Sequence, residues 1–160
     1  MRTYDTAAAF QTNLGHVRKW MRCGQAIDQS PAIRPGEAYS LGDSLTFWNA
    51  AADALADAEG RYVGHRRYHA VLSPIDGVVD VEVVPKAALD TVVPYDDTTD
   101  REWFAAAGGE AVGDAMTRIT LNPGAVLIVE EDEALRVVTG SEARVTVVHV
   151  TVEGFTFPNK

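Results

Sequence analysis

Cysteine is almost absent from this sequence, which has only Cys23 among its 160 residues. A disulfide within the chain is therefore excluded, and a lone thiol is typical of a reducing compartment. Long apolar runs are also absent, because no stretch of about 18 such residues occurs that could span a membrane. The first residues, with Arg2 and Asp5, lack the apolar segment of a signal peptide. We expect a cytoplasmic protein that is neither secreted nor membrane-spanning.

Positive charge is scarce. The chain has 14 Lys and Arg against 23 Asp and Glu, and its formal net charge is −9. Contacts to phosphate groups need a surplus of cations, so neither nucleic acid nor an anionic membrane is an expected partner. The sequence also lacks a Gly-rich phosphate loop and a Gly-x-Ser-x-Gly elbow. These absences exclude the enzyme classes that depend on those motifs.

The start of the chain is predicted to be helical and the rest to be β. Helices are expected over residues 5 to 13 and 16 to 28, hinged near Gly15, because apolar side chains recur there at a helical spacing. A turn at Gly42-Asp43 predicts a hairpin between residues 37 to 41 and 45 to 50. Residues 50 to 59 are expected to form a loop or a short surface helix.

Residues 64 to 84 are the most informative stretch. Two β-prone runs flank Asp76-Gly77, which predicts a β-hairpin. Alternation along the first strand places Tyr68, Ala70 and Leu72 on one face and Arg67, His69 and Val71 on the other. The strand opens with a cluster of His and Arg, where a small β domain could hold a sugar or a metal. Further strands are predicted over 89 to 95, where Pro94 favours a sheet edge, and over 116 to 121, 125 to 129, 135 to 138 and 144 to 152.

Many short strands at close spacing indicate one β domain, a sandwich or a barrel, over residues 1 to 160. The acidic run from Glu130 to Glu133 lies between two apolar strands, which would put it at a barrel mouth. His65 and His69 are four residues apart, a ligand spacing on a helix but not on a strand, so metal binding is the less favoured interpretation there. Cys23 is expected to be a buried structural thiol, because no histidine lies beside it in sequence.

Several segments in the same order resemble one known family. They are Trp20-Met21-Arg22-Cys23, Arg34-Pro35-Gly36, Ser40-Leu41-Gly42-Asp43-Ser44-Leu45-Thr46, Gly64-His65-Arg66-Arg67-Tyr68, Thr99-Asp100-Arg101-Glu102 and Asn159-Lys160. The chain resembles the cupin-like YhcH/YjgK/YiaL family, which includes the small (beta) subunit of the evolved β-galactosidase. The resemblance implies a mainly β fold, a cupin-like double-stranded β-helix, or jelly-roll barrel, with short N-terminal helices.

The resemblance also implies a function. We expect an accessory subunit of a heteromeric β-galactosidase, which docks on a large catalytic glycoside hydrolase subunit and activates it, with carbohydrate near the interface. The expected interface residues are Arg101, Trp103, Phe155 and Phe157. The alternative is a stand-alone sugar-active cupin, such as a sugar anomerase, acting through His65, Arg67, Tyr68 and nearby carboxylates.

The sequence departs from the family at the metal ligands. After His-Arg-Arg-Tyr the family has a carboxylate and, two positions later, a His or Gln, whereas this chain has Ala70 and Leu72. The later barrel histidine of the family falls at about Asp132. We therefore expect no metal or other cofactor and assign no catalytic residue. The candidate ligand or barrel-mouth residues are His65, Arg67, Tyr68 and Asp132.

Overall fold

The computed structural model describes residues 1 to 152, which contain three α-helices, twelve β-strands and four short 3-10 helices. The helices are α1 (Ala7–Leu14), α2 (Arg18–Gln29) and α3 (Ala52–Leu55). The strands are β1 (Arg2–Tyr4), β2 (Tyr39–Leu41), β3 (Leu45–Ala51), β4 (Tyr62–Gly64), β5 (Tyr68–Pro74), β6 (Val79–Pro85), β7 (Leu89–Asp96), β8 (Arg101–Ala106), β9 (Thr117–Leu121), β10 (Val126–Val129), β11 (Glu133–Val137) and β12 (Arg144–Thr151).

The strands form two six-stranded antiparallel sheets. The first has the order β1-β10-β5-β12-β3-β2 and the second the order β7-β8-β4-β11-β6-β9. Eight of these strands form the halves β10-β5-β12-β3 and β4-β11-β6-β9, which is the strand order of a jelly roll, with the β7–β8 hairpin inserted between β6 and β9. The predicted fold class, a mainly β, cupin-like barrel with short N-terminal helices, is confirmed.

The predicted hairpin over residues 64 to 84 is wrong in its pairing. Both strands exist, but β5 pairs with β10 and β12 in the first sheet, whereas β6 pairs with β9 and β11 in the second. Gly77 does adopt a positive φ of 69°, and the Asp-Gly turn is a corner between the sheets. Both strands have apolar inner faces, and opposed sheets let these faces bury each other, which a hairpin within one sheet would not.

The predictions that concern single elements or short-range turns agree with the structure. The two helices occur with a break at Gly15, and α1 is capped by Thr6, whose hydroxyl accepts a hydrogen bond from the Ala9 amide at 3.0 Å. The β2–β3 hairpin, the edge position of β7 and the short helix within residues 50 to 59 are confirmed. No helix among residues 1 to 152 has the length and apolar character that crossing a bilayer requires.

The central strands of the first sheet are buried on both of their faces. The inner face of this sheet packs against the second sheet, and its outer face is covered by α1 and α2. This explains why the four residues of β10 are all buried and read as a continuous apolar run rather than an alternation. Cys23 lies in this outer layer, where burial strongly raises the pKa of its thiol. The expectation of a buried cysteine is confirmed.

Phe10 tests how much the helical layer stabilises the barrel. It is 0% exposed and packs edge-on against Tyr4 and Trp20. We predict that Phe10→Ala lowers the free energy of unfolding by about 3 to 5 kcal/mol, because it removes buried contacts and leaves a cavity. Urea denaturation would measure the loss. The control is Val93→Ala, on the exposed edge strand, which should change stability by less than about 0.5 kcal/mol. If both variants lost the same stability, burial of Phe10 under the helices would not stabilise the barrel.

Candidate functional site

The inside of the barrel holds a cavity of about 390 Å³. Its apolar wall comes from the inner faces of both sheets and consists of Ala70, Leu72, Val63, Leu135, Val137 and Val147. Its polar and aromatic lining residues are Trp48, Asp57, His65, Arg101, Trp103 and His149. Small-ligand sites commonly combine a largely apolar wall with a few convergent polar groups, so this cavity is the candidate functional site.

Two histidines meet inside the cavity. The rings of His65 and His149 lie with centroids 4.7 Å apart, Tyr68 stacks on His149 at 5.0 Å, and Trp48 contacts it edge-on at 4.9 Å. His149 comes from β12, directly opposite Ala70 of β5. Its inward direction follows from the same alternation that turns Val145 and Val147 into the core.

Both imidazoles are neutral at pH 7. Burial lowers the pKa of His149 well below 6.5, and the nearby His65 and Arg101 lower it further. Burial also lowers the pKa of His65. The Nδ1 atom of His65 lies 2.7 Å from the carbonyl oxygen of Asp100, which can only accept, so Nδ1 carries the proton. The Nε2 atom of His65 is therefore a bare nitrogen that can accept a proton or a hydrogen bond.

Asp100 holds the segment that carries His65. Its carboxylate is 2% exposed and accepts hydrogen bonds from the amides of Arg66, at 3.0 Å, and Arg67, at 3.1 Å, and from the Tyr95 hydroxyl at 2.7 Å. Burial and this hydrogen bond raise the pKa of Tyr95 to about 12. Asp100 has a φ of 51°, a left-handed conformation that aspartate tolerates better than most residues.

A second buried carboxylate, Glu102, reinforces this arrangement. It accepts hydrogen bonds from Arg66 at 2.7 Å and from Lys86 at 2.8 Å, and Lys86 also donates to the carbonyl oxygen of His65 at 2.7 Å. Burial raises the pKa of Glu102, but the bonds from Arg66 and Lys86 outweigh burial and hold it below its ordinary value. Segments 64–68 and 99–102 are thus clamped together, and we call this unit the motif clamp.

The rim of the cavity is cationic and aromatic. Arg101 lies beside the opening with an exposed side chain, and Trp103 lies under the guanidinium of Arg61, whose carbon is 4.8 Å from the ring centroid. Arg61 is in turn fixed by two bonds of 2.9 Å to the carboxylate of Asp57, and these bonds lower the pKa of Asp57 to about 2. The rim therefore has a pre-ordered aromatic residue, Trp103, next to the exposed cationic side chain of Arg101.

The candidate ligand or barrel-mouth residues predicted from the sequence do not all lie at the cavity. His65 lines the cavity, and Tyr68 stacks on His149 beside it. Arg67 belongs to the motif clamp through its amide, but its guanidinium donates to the carbonyl oxygen of Asp97 at 3.3 Å rather than lining the cavity. Asp132 has an exposed side chain in the β10–β11 turn, also outside the cavity lining.

Two of the four predicted interface residues lie at the cavity rim and two lie outside the described part of the chain. Arg101 and Trp103 lie at the rim, while Phe155 and Phe157 lie outside the described residues. Sequence reasoning missed His149 and Trp48. Continuing the period-two register along β12, from Val145 through Val147, would have placed His149 in the interior.

The two positions at which the resemblance implies metal ligands bring none into the cavity. Ala70 and Leu72 line its wall, as the alternation predicted. Across residues 1 to 152, a group of three metal-ligating side chains close enough to share an ion occurs at His69, Glu130 and Glu131, which lie outside the barrel. The absence of a cofactor from the cavity stays a prediction.

The arrangement suits recognition of a small ring with polar substituents. Neutral imidazoles can exchange hydrogen bonds with hydroxyl groups, and Trp48 and Trp103 offer flat apolar faces. Sugars have this combination of an apolar ring face and peripheral hydroxyls.

No protein-family model matches the chain. Among solved structures, the fold is similar to the hydroquinone 1,2-dioxygenase PnpCD in complex with Cd²⁺ and 4-hydroxybenzonitrile, with 18% identity over 84% of this chain and 73% of that chain and a TM-score of 0.41. It is also similar to hydroquinone 1,2-dioxygenase from Sphingomonas sp. TTNP3 with 4-hydroxybenzoate bound, with 16% identity over 79% and 72% of the two chains and a TM-score of 0.43. The fold class rests on the strand order of this chain, and nothing of the dioxygenases' chemistry is transferred to it.

Introducing polar metal-ligating side chains at positions 70 and 72 tests whether these residues of β5 point inward. Ala70 and Leu72 are each 3% exposed, so the double variant Ala70→Glu, Leu72→His should lose roughly 1 to 3 kcal/mol of stability per site, because it buries polar groups without partners. Added zinc should recover part of the loss, beyond any effect on the parent. Chemical denaturation with and without zinc would measure both.

The matched control for this variant is Val92→Glu, Val93→His, which places the same side chains on the exposed edge strand β7. It should be close to neutral. A double variant at 70 and 72 that is as stable as this control would show that the two positions do not face the interior.

The buried histidines predict acid sensitivity. Because the folded pKa values of His65, His69 and His149 lie below the unfolded value of about 6.5, the unfolded chain takes up protons first as the pH falls. Their stabilising contribution is complete above about pH 7 and is lost below it, by up to about 1.4 kcal/mol per pH unit for each histidine.

Unfolding free energies measured between pH 7.5 and 5 would test this. His149→Gln should flatten the slope, whereas His16→Gln, at an exposed position, should leave it unchanged. A stability that rises as the pH falls through this window would contradict the assignment of neutral histidines.

Proposed function

We propose that this chain is the accessory subunit of a heteromeric β-galactosidase, which docks on a large catalytic glycoside hydrolase subunit and raises its activity. The observation that carries the proposal is the motif clamp. The two most polar segments of the family resemblance, residues 64–68 and 99–102, are more than thirty positions apart in sequence, yet they interlock at one end of the barrel. The segments that carry the resemblance therefore form one contiguous structural unit in the folded chain.

The rim next to the motif clamp has the character of a docking surface. Arg101 is exposed and Trp103 is held by Arg61, and arginine and tryptophan are the residue types that most often dominate binding energy at interfaces. A partner seated on this rim would cover the mouth of the cavity. Any carbohydrate bound in the cavity would then lie at the subunit interface.

The carboxylates of the cavity support an accessory rather than a hydrolytic role. Glycoside hydrolysis ordinarily uses two carboxyl groups, of which one must be protonated to donate to the leaving group. Among the described cavity-lining residues Asp57 is the single carboxylate, and its bonds to Arg61 hold its pKa at about 2, so it stays ionised. The chain alone has neither the acid nor the second carboxylate at this site.

A stand-alone sugar-active cupin, such as a sugar anomerase, is the second candidate. The observation that favours it is the neutral pair His65 and His149 with Tyr68 beside it. Exchange of anomers requires removal of the proton from the anomeric hydroxyl and donation of a proton to the ring oxygen, with both reversed after rotation. A bare imidazole nitrogen and an imidazole or phenol proton could perform these transfers without a metal.

The deciding assay measures hydrolysis of a chromogenic β-galactoside by the large subunit alone, by this chain alone and by both. We predict no hydrolysis by this chain alone and a higher rate for the mixture, with co-elution on size exclusion. Arg101→Ala and Trp103→Ala should each weaken the complex by about tenfold or more. Arg18→Ala, at an exposed position on α2 outside the barrel, is the control and should leave binding unchanged.

Unchanged rates on mixing, without co-elution, would overturn the accessory role. If the isolated chain instead speeds exchange between sugar anomers, followed by NMR, and His149→Gln abolishes that effect, the second candidate is the correct one.

A further inference from the structure

Three metal-ligating side chains meet on the outer face of the first sheet. We propose that His69, Glu130 and Glu131 bind one divalent transition cation of the Zn²⁺ class, at a site separate from the barrel cavity and independent of the proposed function. His69 belongs to β5 and points away from the cavity, whereas the two glutamates directly follow β10. Because Val129 pairs with Ala70, the end of β10 brings Glu130 beside His69.

The ligand atoms have the spacing that zinc requires. The Nδ1 atom of His69 lies 2.9 Å from Oε2 of Glu130 and 3.6 Å from Oε2 of Glu131, and all three lie within 4.8 Å of one another. Tetrahedral zinc with bonds of about 2.0 to 2.1 Å to nitrogen and oxygen separates its ligands by roughly 3.3 Å. The two distances from His69 bracket that value, and side-chain rotation of the exposed Glu131 would bring its carboxylate into range of Glu130.

His69 gives an independent reason to expect a ligand. The residue is 8% exposed, and its Nδ1 atom makes no hydrogen bond of acceptable geometry within the described part of the chain, although Glu130 is close. A buried polar nitrogen without a hydrogen bond is costly. The His69 ring packs against the Trp20 ring, with centroids 5.5 Å apart, and this contact restricts its orientation. A cation at this position would satisfy the nitrogen.

The surroundings determine how the cation would be held. Arg2 donates to Oε1 of Glu130 at 2.9 Å, which orients this carboxylate and leaves Oε2 for the ion. Glu131 is exposed, so the site opens to solvent and water can complete the coordination. Arg2 and Lys19 add positive charge beside the site, which weakens attraction for a cation. The bound ion is therefore exchangeable rather than permanently held.

The test is calorimetric titration of the untagged full chain with Zn²⁺, after treatment with a chelator. We expect one ion per chain and a rise in melting temperature. His69→Gln and Glu131→Gln should each weaken binding by at least tenfold. The matched controls are His16→Gln and Glu110→Gln, which remove the same groups from exposed positions and should leave the affinity unchanged.

Glu131→Gln keeps the result decisive if His69→Gln impairs folding, because Glu131 is exposed. No binding by the parent would overturn the proposal. Binding that survives both site variants would do so as well, and binding lost in His16→Gln would identify an adventitious surface site. Binding lost only in His149→Gln would place the ion in the barrel cavity instead.

Discussion

The buried carboxylate of Asp100 is the constraint on which the candidate site depends. A carboxylate this deeply buried must be fully hydrogen-bonded to be tolerated, and the partners that satisfy it are two amides of the segment carrying His65 and the hydroxyl of Tyr95. The Asp100 carbonyl also accepts from His65 and thereby determines its tautomer. One residue in a left-handed conformation thus orders the His65 side of the cavity and the rim beside it.

Burial of its central strands on both faces gives the first sheet two distinct roles. Its inner face lines the cavity with Ala70, Leu72 and His149, whereas its outer face packs under α2 and carries His69. Adjacent residues of β5 therefore serve opposite sides of the same sheet. A divalent cation at His69 would lie behind the sheet and could not reach a sugar in the barrel, which keeps the two proposals physically independent.

Most of the secondary structure could be predicted, because it follows from local patterns. The helices on either side of Gly15, the β2–β3 hairpin and the inward direction of Ala70 and Leu72 each depend on periodicity or turn chemistry within about ten residues. The hairpin at Asp76-Gly77 was wrong because an Asp-Gly turn reverses the chain in a hairpin and at a sheet corner alike. His149 was missed although the alternation along β12 turns it inward with Val145 and Val147, because a local pattern does not show whether an inward histidine lies in a packed core or in a cavity.

The sequence by itself determined the class of the fold, the two short helices and the apolar character of positions 70 and 72, since composition, alternation and residue identity are properties of short stretches of chain. Only the tertiary structure decided which strands pair beyond the β2–β3 hairpin, and that Asp100 binds a segment 35 residues away. It also decided that His149 faces His65 and that His69 meets the glutamates that follow β10. Such meetings arise when two sheets bury their apolar faces against each other, and that burial is a property of the whole chain that no short stretch encodes.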